Sequence, residues 1–198
     1  MTFSDSVQLP IVAVRDAASA KAYLPSLCRL LQSCVNDEPS LSSIGFFAPL
    51  SDKDAEDYWL TMIPTAIIPS SDSTTESIVP PQVALVVVLD PEDPSSVIAT
   101  AQLARHPKET HAHKGEIRKL LVHSTHRRGG LGRRLMSEME RVAKEEMGLD
   151  IVLLDTALET PARQFYRSLG WTEWGMCPQY AMFADGRKSD CSFFYKEL

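Results

Sequence analysis

The sequence predicts an α/β protein, an α+β sandwich in which helices flank one central sheet. Short runs of branched aliphatic residues, such as residues 83–89, have the composition of buried strands. Segments with apolar residues at helical spacing, such as residues 17–34, indicate the helices. Prolines, glycines and acidic residues separate these segments. The predicted order of elements is β, α, α, β, β, β, α, β, α, β, β.

Length and charge limit the classes of function. With 198 residues, the chain fits one domain that spans residues 1–198. A net charge of −6 argues against general binding to nucleic acid or to an anionic membrane. Residues 1–10 lack the positive start of a secretory signal, and the longest apolar run is too short to cross a bilayer. The expected location is the cytoplasm, with nuclear entry left open.

The first third of the chain predicts one strand and two helices. Residues 7–14 alternate as in a strand, and residues 17–34 and 52–62 form the helices. Trp59, on the second helix, is a candidate wall of a substrate pocket, and a place in the core is the alternative. Residues 64–82, rich in proline, serine and threonine, predict an exposed insertion loop.

Three strands follow the insertion. Residues 83–89 and 97–103 predict a hairpin, and residues 115–123 predict the next strand. The loop between them contains three histidines, at positions 106, 111 and 113. No carboxylate or cysteine accompanies these histidines at ligand spacing, so we interpret them as surface residues and expect no metal site.

A glycine-rich basic segment, residues 127–132, lies between this strand and a strongly amphipathic helix over residues 131–147. Gly148 follows the helix at the position of a C-terminal cap. The first N–H groups of a helix lack intrahelical acceptors, and glycines there let a phosphate approach the backbone. The segment therefore predicts a pyrophosphate site. A simple turn and a disordered nucleic-acid arm are the alternatives, and the periodic helix and acidic chain argue against the arm.

The last third predicts a buried strand, a short helix and a closing pair of strands. Residues 150–155 form a continuous apolar run between two aspartates. Thr160 is the expected N-cap of the next helix, with Pro161 at its first position. Residues 171–176 and 191–195 are the closing strands, which turn at residues 185–186.

Two motifs resemble those of the GNAT acyltransferase superfamily. Arg127-x-x-Gly130-x-Gly132 resembles its acetyl-coenzyme A motif, and residues 162–171 resemble its second motif, whose tyrosine faces the sulfur of coenzyme A. The resemblance implies a single mixed, mostly antiparallel sheet and acetyl-coenzyme A as the acyl donor. The expected cofactor contacts are Leu120, Leu121, Val122, Arg127, Arg128, Gly129, Gly130, Leu131, Gly132, Arg133 and Thr156.

Two acidic residues resemble proposed catalytic residues of the superfamily. Glu116 precedes Arg127 by the interval that separates the catalytic glutamate from this motif in the histone-acetylating branch. Residues 97–198 are also similar to the branch that confers tabtoxin resistance, and there the proposed catalytic glutamate and aspartate fall on Glu116 and Asp155. Structural alternatives remain, because Glu116 can pair with Arg118 or Lys119, and Asp155 can cap the next segment.

The chemistry gives these residues roles. An alkyl amine has a pKa of about 10.4, so at pH 7 only about one molecule in a few thousand is neutral and nucleophilic. Glu116 is the first candidate for the base that accepts its proton, with Asp155 as anchor or partner base. A backbone N–H near residues 120–122 is the candidate oxyanion donor. Tyr166 is the candidate general acid, and an aromatic packed beneath the sheet is the alternative.

The predicted function is that of an acetyl-coenzyme A-dependent N-acetyltransferase. Its expected acceptor is a small amine or amino-acid-like compound, with detoxification of a toxin or antimetabolite as a role. Trp59, Trp174 and Tyr180 are the candidate substrate contacts. The alternatives are a protein-lysine or polyamine acetyltransferase and a non-catalytic sensor of coenzyme A. We expect neither nucleic acid nor membrane as a partner, and a homodimer is compatible with the sequence.

Overall fold

A computed structural model of the chain describes residues 9–66 and 82–198. The predicted insertion lies largely outside these residues, as does the predicted start of the first strand. Helix α2 continues to Ala66, four residues beyond the predicted end at residue 62.

The order of helices and strands follows the prediction, and the predicted fold class is confirmed. The strand over residues 83–89 has the predicted bounds, whereas the two closing strands, predicted over residues 171–176 and 191–195, are longer and have 11 and 10 residues. The elements are β1 (Ile11–Ala13), α1 (Ala17–Asn36), α2 (Asp52–Ala66), β2 (Val83–Leu89), β3 (Val97–Arg105), β4 (Lys114–Val122), α3 (Leu131–Arg141), β5 (Ile151–Ala157), α4 (Ala162–Ser168), β6 (Thr172–Met182) and β7 (Lys188–Glu197).

One seven-stranded sheet has the order β1-β2-β3-β4-β5-β7-β6. Strands β4 and β5 are parallel, and the other neighbouring strands are antiparallel. The parallel pairing starts at Lys114 and Ile151 and ends at Glu116 and Leu153. Beyond that point β4 continues along β3, while β5 continues along β7. The two central strands therefore separate in the middle of the sheet.

Two apolar cores cover the two faces of the sheet. Val86 and Val88 face the core that contains α3 and α4, whereas Leu85 and Val87 face the core that contains α1 and α2. Burial on both faces explains why β2 is a continuous apolar run rather than an alternating one. Fully burying one such side chain contributes about 1.5–3 kcal/mol. The two cores thus hold the sheet between two helical layers.

Two helix boundaries differ from the sequence prediction. Helix α3 ends at Arg141 and continues as a π-helical turn over Val142–Glu146, in which the Met147 N–H bonds the Val142 carbonyl at 3.0 Å. The prediction of Thr160 as an N-cap is wrong. Its hydroxyl donates to the Ala157 carbonyl at 2.9 Å, and Pro161 precedes α4 in a helical conformation. Among helices of residues 9–66 and 82–198, none is long and apolar enough to cross a membrane.

Candidate active site

Glu116 and Asp155 lie on the same face of the sheet, where β4 and β5 separate. Their chain neighbours Ile117 and Leu154 belong to the core under α3 and α4, so the two carboxylates project to the opposite face. That face is the one covered by α2, because the Tyr58 hydroxyl donates to Gln102, the residue paired with Arg118. Two acids from adjacent strands therefore lie on one face of the sheet, and we call the gap beside them, where β4 and β5 stop pairing, the cleft.

Glu116 forms the ion pair with Arg118 that was the structural alternative for it. Both guanidinium contacts, including the 2.9 Å bond from Nε, go to Oε2. Within the described residues, Oε1 of Glu116 has no hydrogen-bond partner. The Glu116 side chain is 40% exposed. The ion pair orients the carboxylate through Oε2 and leaves Oε1 for other contacts.

Asp155 is solvent-accessible, and in the part of the chain described here its carboxylate accepts no hydrogen bond, so it does not cap the next segment. Loss of hydration in the cleft raises the pKa of Asp155, and the neighbouring Glu116 raises it further. Lys119 and Arg118 act in the opposite direction. A carboxylate with a raised pKa is a better proton acceptor than an ordinary aspartate.

Lys119 occupies a bulge in β4 and reaches across to the segment between α1 and α2. The pairing of β3 with β4 shifts register here, and Lys119 has a φ of 50°. Its Nζ donates to the Ile44 carbonyl at 2.5 Å and lies 5.3 Å and 5.4 Å from the ring centroids of Phe46 and Tyr58. Burial lowers the pKa of Lys119. These two rings, which also line an open cavity of about 720 Å³, already hold a cation from the chain.

The loop before α3 presents a series of free backbone donors. Gly130 lies at the N-terminal end of α3 with a φ of 82°, and Arg128 has a φ of 65°. In the described parts of the chain, the N–H groups from Arg128 to Arg133 have neither a backbone nor a side-chain acceptor. Consecutive free N–H groups at a helix N-terminus form a concavity that suits a phosphate.

The arginines of this loop divide into two groups. Arg127 donates from Nε to the Val122 carbonyl at 3.1 Å and from Nη1 to Glu38 at 2.6 Å. The side chain anchors the loop to β4 and to the turn after α1, and its expected contact with the cofactor stays a prediction. Arg134 likewise donates to the Leu9 carbonyl at 2.8 Å. Arg128 and Arg133 are exposed and form no ion pair within the described residues, so they remain available to an anion.

The other predicted cofactor contacts lie around the point of strand separation. Leu120 and Val122 pack against the core under α3 and α4, and Leu121 packs against the opposite core. Thr156, on β5, has its hydroxyl 3.3 Å from that of Thr160. Leu131 is buried, and a Cβ built on Gly132 would lie 3.1 Å from Cζ of Phe165. Gly132 thus lets α3 and α4 pack closely below the loop.

Tyr166 is buried in the core beneath the sheet, where it contacts Phe194 and Trp171. Burial raises its pKa, and the Asp155 carboxylate raises it further. Its hydroxyl has no hydrogen bond within the described residues. Phe165, its neighbour on α4, is only half-buried and lies against Gly132. Tyr166 therefore has the packed position that was the alternative for it, and its role as general acid stays a prediction.

Trp174 and Tyr180, on β6, lie against Phe193, whereas Trp59 lies in a core. The rings of Trp174 and Tyr180 lie 5.7 Å and 4.9 Å from that of Phe193, the direct partner of Asp155 across β5 and β7. Trp59 is fully buried in the core formed by α1 and α2. The assignment of Trp59 to a substrate pocket is corrected to a core position. No local pattern in the sequence indicates Phe193, because only the register of β5 and β7 brings it beside Asp155.

Two of the three histidines before β4 contact each other. The rings of His106 and His111 stack at 4.7 Å between centroids. The described residues contain no group of three or more histidine, cysteine or acidic side chains arranged to hold a metal ion.

Residues 52–171 match the model of the acetyltransferase (GNAT) family. The chain belongs to this family. Members of the GNAT family use acetyl-coenzyme A, in agreement with the cofactor expected from the sequence.

Solved structures share this GNAT fold at low sequence identity. A ribosomal-protein-alanine N-acetyltransferase from Brucella melitensis is 19% identical, with a TM-score of 0.67 over 94% of this chain and 99% of that chain. The YncA protein of Salmonella typhimurium, solved with its cofactor acetyl-coenzyme A, is 17% identical, with a TM-score of 0.66 over 96% and 94%. A candidate phosphinothricin N-acetyltransferase is 16% identical, with a TM-score of 0.65 over 96% and 99%.

The residues present fit coenzyme A. The free N–H groups from Arg128 to Arg133 and the positive charges of Arg128 and Arg133 suit a pyrophosphate. A Cβ built on Gly130 would meet nothing within 4 Å, so the backbone there is open to a ligand. The edges of β4 and β5 beyond Glu116 and Leu153 are unpaired with each other, and they can bond an amide-containing chain.

Proposed function

We propose that this GNAT protein transfers an acetyl group from acetyl-coenzyme A to the nitrogen of a small amine or amino-acid-like compound. One observation carries the proposal. Glu116 and Asp155 lie on one face of the sheet at the point where β4 and β5 separate, and the loop with the free N–H groups leads from the end of β4 to α3. Strand β4 thus carries a candidate site for a cation and leads directly into a candidate site for an anion.

The two carboxylates prepare the amine. They first attract the ammonium form, because both negative charges border the cleft into which it enters. The free Oε1 of Glu116, or the carboxylate of Asp155, then accepts a proton directly or through a water. The raised pKa of Asp155 brings its proton affinity closer to that of an amine. The deprotonated nitrogen is the nucleophile.

The donor supplies the acetyl group as a reactive thioester. The loop N–H groups and Arg128 and Arg133 hold its phosphates, and unpaired N–H groups of β4 donate to the carbonyl oxygen that gains negative charge. Tyr166 gives its hydroxyl proton to the departing sulfur, the role expected from its place in the second motif. No cysteine nucleophile is required.

A detoxification role follows from the resemblance to the tabtoxin-resistance branch. Residues 116–122, 127–136, 154–156 and 178–187 carry that resemblance, and the two carboxylates fall on its proposed catalytic pair. An amine-bearing toxin or antimetabolite is the corresponding acceptor.

A second candidate acceptor is the terminal amine or a lysine of a protein. This acceptor is favoured by the exposure of two aromatic residues, Trp174 at 58% and Tyr180 at 55%. Trp59 is buried in the core and does not close the cleft either, so the cleft is open beside β6. Lysine-containing peptides in the amine panel, compared with free amines, distinguish the two.

Calorimetry with acetyl-coenzyme A, followed by thiol release over a panel of amines, tests the proposal. We expect saturable binding and thiol release with at least one small amine. Absence of binding at millimolar donor would overturn the proposal. Binding without thiol release for any amine or peptide would instead identify a sensor of coenzyme A.

A further inference from the structure

Strand β6, at the edge of the sheet, exposes an unusual set of large apolar side chains. Trp174, Met176, Tyr180 and Met182 are between 45% and 58% exposed. The rings of Trp174 and Tyr180 contact Phe193 from two sides, one tilted and one edge-on. We call Trp174, Tyr180 and Phe193 the aromatic platform.

The aromatic platform is continuous with the catalytic carboxylates. Phe193 and Asp155 are direct partners in neighbouring strands, so their side chains share a face of the sheet at a separation of about 5 Å between Cβ atoms. Burial raises the pKa of Tyr180, and the charges of Asp155 and Glu116 raise it further. A ligand whose cation sits at the carboxylates therefore has its next few atoms beside these rings.

We propose that the aromatic platform binds the body of the acceptor, and that the acceptor is a primary amine on an aromatic or similarly apolar group, without a carboxylate. This inference rests on the proposed function and narrows its substrate class. The ammonium group meets Glu116 and Asp155, and the apolar body covers Trp174, Tyr180 and Phe193. Covering such rings removes apolar surface from water and adds favourable ring contacts.

The positive side chains of the cleft explain why the acceptor lacks a carboxylate. Arg118 is bound to Glu116, and Lys119 is held by the Ile44 carbonyl and two rings. An acceptor carboxylate would share the Arg118 guanidinium with Glu116 or displace the partners of Lys119, and would lie close to Asp155. Like charges at that range repel, so an amino acid pays a penalty that the matching amine avoids.

The other aromatic pair of the cleft cannot take the same role. Phe46 and Tyr58 already flank the Lys119 ammonium. Within the described residues, no cationic side chain of the protein lies over Trp174, Tyr180 or Phe193. The aromatic platform is thus the ring surface that remains available.

The backbone of β6 is shaped to present Tyr180. The pairing of β6 with β7 shifts register between Cys177 and Ala181, and Gln179 has a φ of 52°. Asp190 on β7 accepts a hydrogen bond from the Gln179 N–H at 2.9 Å, which fixes this irregular segment. A bulge of this kind re-aims a side chain, and here it brings the Tyr180 ring edge-on to Phe193.

Matched amines test the class of acceptor. We expect kcat/KM for 2-phenylethylamine to exceed that for phenylalanine, which adds a carboxylate, and that for putrescine, which lacks a ring, by at least tenfold each. Equal or higher values for phenylalanine or putrescine would overturn the inference and leave the proposed function intact. Loss of thiol release with every amine would overturn both.

Variants test the aromatic platform itself. Trp174→Ala and Tyr180→Ala should each raise KM for 2-phenylethylamine about tenfold, while the Kd for acetyl-coenzyme A is unchanged. Met182→Ala, which removes an exposed apolar side chain from the same strand, is the matched control and should leave KM unchanged. Sedimentation is measured on all three. A dimer that Trp174→Ala converts to a monomer with unchanged KM would show that these rings bind a second copy, and would overturn the inference.

Discussion

Asp155 on β5 and Phe193 on β7 are direct cross-strand partners, so a carboxylate and an aromatic ring are neighbours on one face of the sheet. Burial raises the pKa of Tyr166 in the core beneath the sheet, and the same carboxylate raises it further. Asp155 therefore neighbours a ring on its own face of the sheet and acts electrostatically on a phenol of the opposite core. Its substitution should affect proton transfer without disturbing the loop that binds phosphate.

Glu116→Gln should lower kcat about 100-fold, because the amide cannot accept the proton of the amine. The Kd for acetyl-coenzyme A should change less than twofold. Steady-state kinetics and calorimetry provide both values. Glu92→Gln, an exposed acid in the turn between β2 and β3, is the control. An unchanged kcat in Glu116→Gln would remove this residue from the mechanism.

Asp155→Asn should raise the stability of the protein at pH 7. Burial and Glu116 raise the pKa of Asp155 above its unfolded value of about 3.9, so the folded state holds this proton more tightly. The contribution of Asp155 is favourable at low pH and is lost as the pH rises through the raised pKa. Melting curves should show a higher Tm for the variant at pH 7 and convergence with the wild type below about pH 4.

The same variant should alter the pH dependence of activity. In the wild type, acetylation should rise with pH as Asp155 loses its proton. In Asp155→Asn, kcat should fall and that rise should shift or disappear. Asp150→Asn, an exposed acid directly before β5, should retain the wild-type profile.

Gly130→Ala should weaken binding of acetyl-coenzyme A about tenfold. Its φ of 82° costs an alanine about 1 kcal/mol or more, and relaxation of that strain moves the free N–H groups. Gly148→Ala is a matched control, because Gly148 has a φ of 59° with open space around it and lies after the helix that follows the loop. Both variants should lose similar stability, and calorimetry should show lost affinity in Gly130→Ala alone.

Glu173→Gln should destabilise the protein by about 1 kcal/mol at pH 7. Glu173 holds α4 against β6 and β7 through Arg163, Arg167 and Ser192. The pKa of Glu173 is lowered to about 2, and hydrogen bonds from Arg163 are the largest cause. The stabilisation is present above about pH 4.3 and declines as the pH falls towards 2, so denaturant curves of the two proteins should converge there.

Tyr166→Phe should lower kcat about tenfold or more and leave the free energy of unfolding nearly unchanged. The hydroxyl makes no hydrogen bond within the described residues, so the core loses only one atom. A purely structural role predicts unchanged kcat. Denaturant unfolding and single-turnover kinetics on the same preparations separate these outcomes.

The fold could be predicted from the sequence because the local patterns of apolar residues correspond to the buried faces of the strands and helices. The continuous apolar run of β2 follows from burial on both faces, and the spacing in residues 131–147 follows from one face of a helix packed on the sheet. The π-helical turn at Val142–Glu146 was not predicted, because the same apolar residues satisfy an α-helical spacing. The positive φ of Lys119 likewise gives no signal in a sequence pattern.

The site was only partly accessible, because long-range contacts decide which way its side chains point. Arg127 forms an ion pair with Glu38, which lies 89 residues earlier in the chain, and no local pattern in the sequence indicates that partner. Phe165 and Tyr166 are adjacent on a short helix, so composition cannot decide which of them enters the core. Trp59 is bulky and apolar, and such a residue suits a pocket wall and a core equally well. The roles assigned to Glu116, Asp155 and Tyr166 stay predictions.

The end of pairing at Glu116 and Leu153 also divides the sheet into two halves. Strands β1–β4 form one half and strands β5–β7 the other, and the halves share backbone hydrogen bonds only from Lys114 and Ile151 to Glu116 and Leu153. A ligand that forms hydrogen bonds with the unpaired edges of β4 and β5 would connect the two halves. Binding of the donor should therefore slow amide exchange in both halves of the sheet.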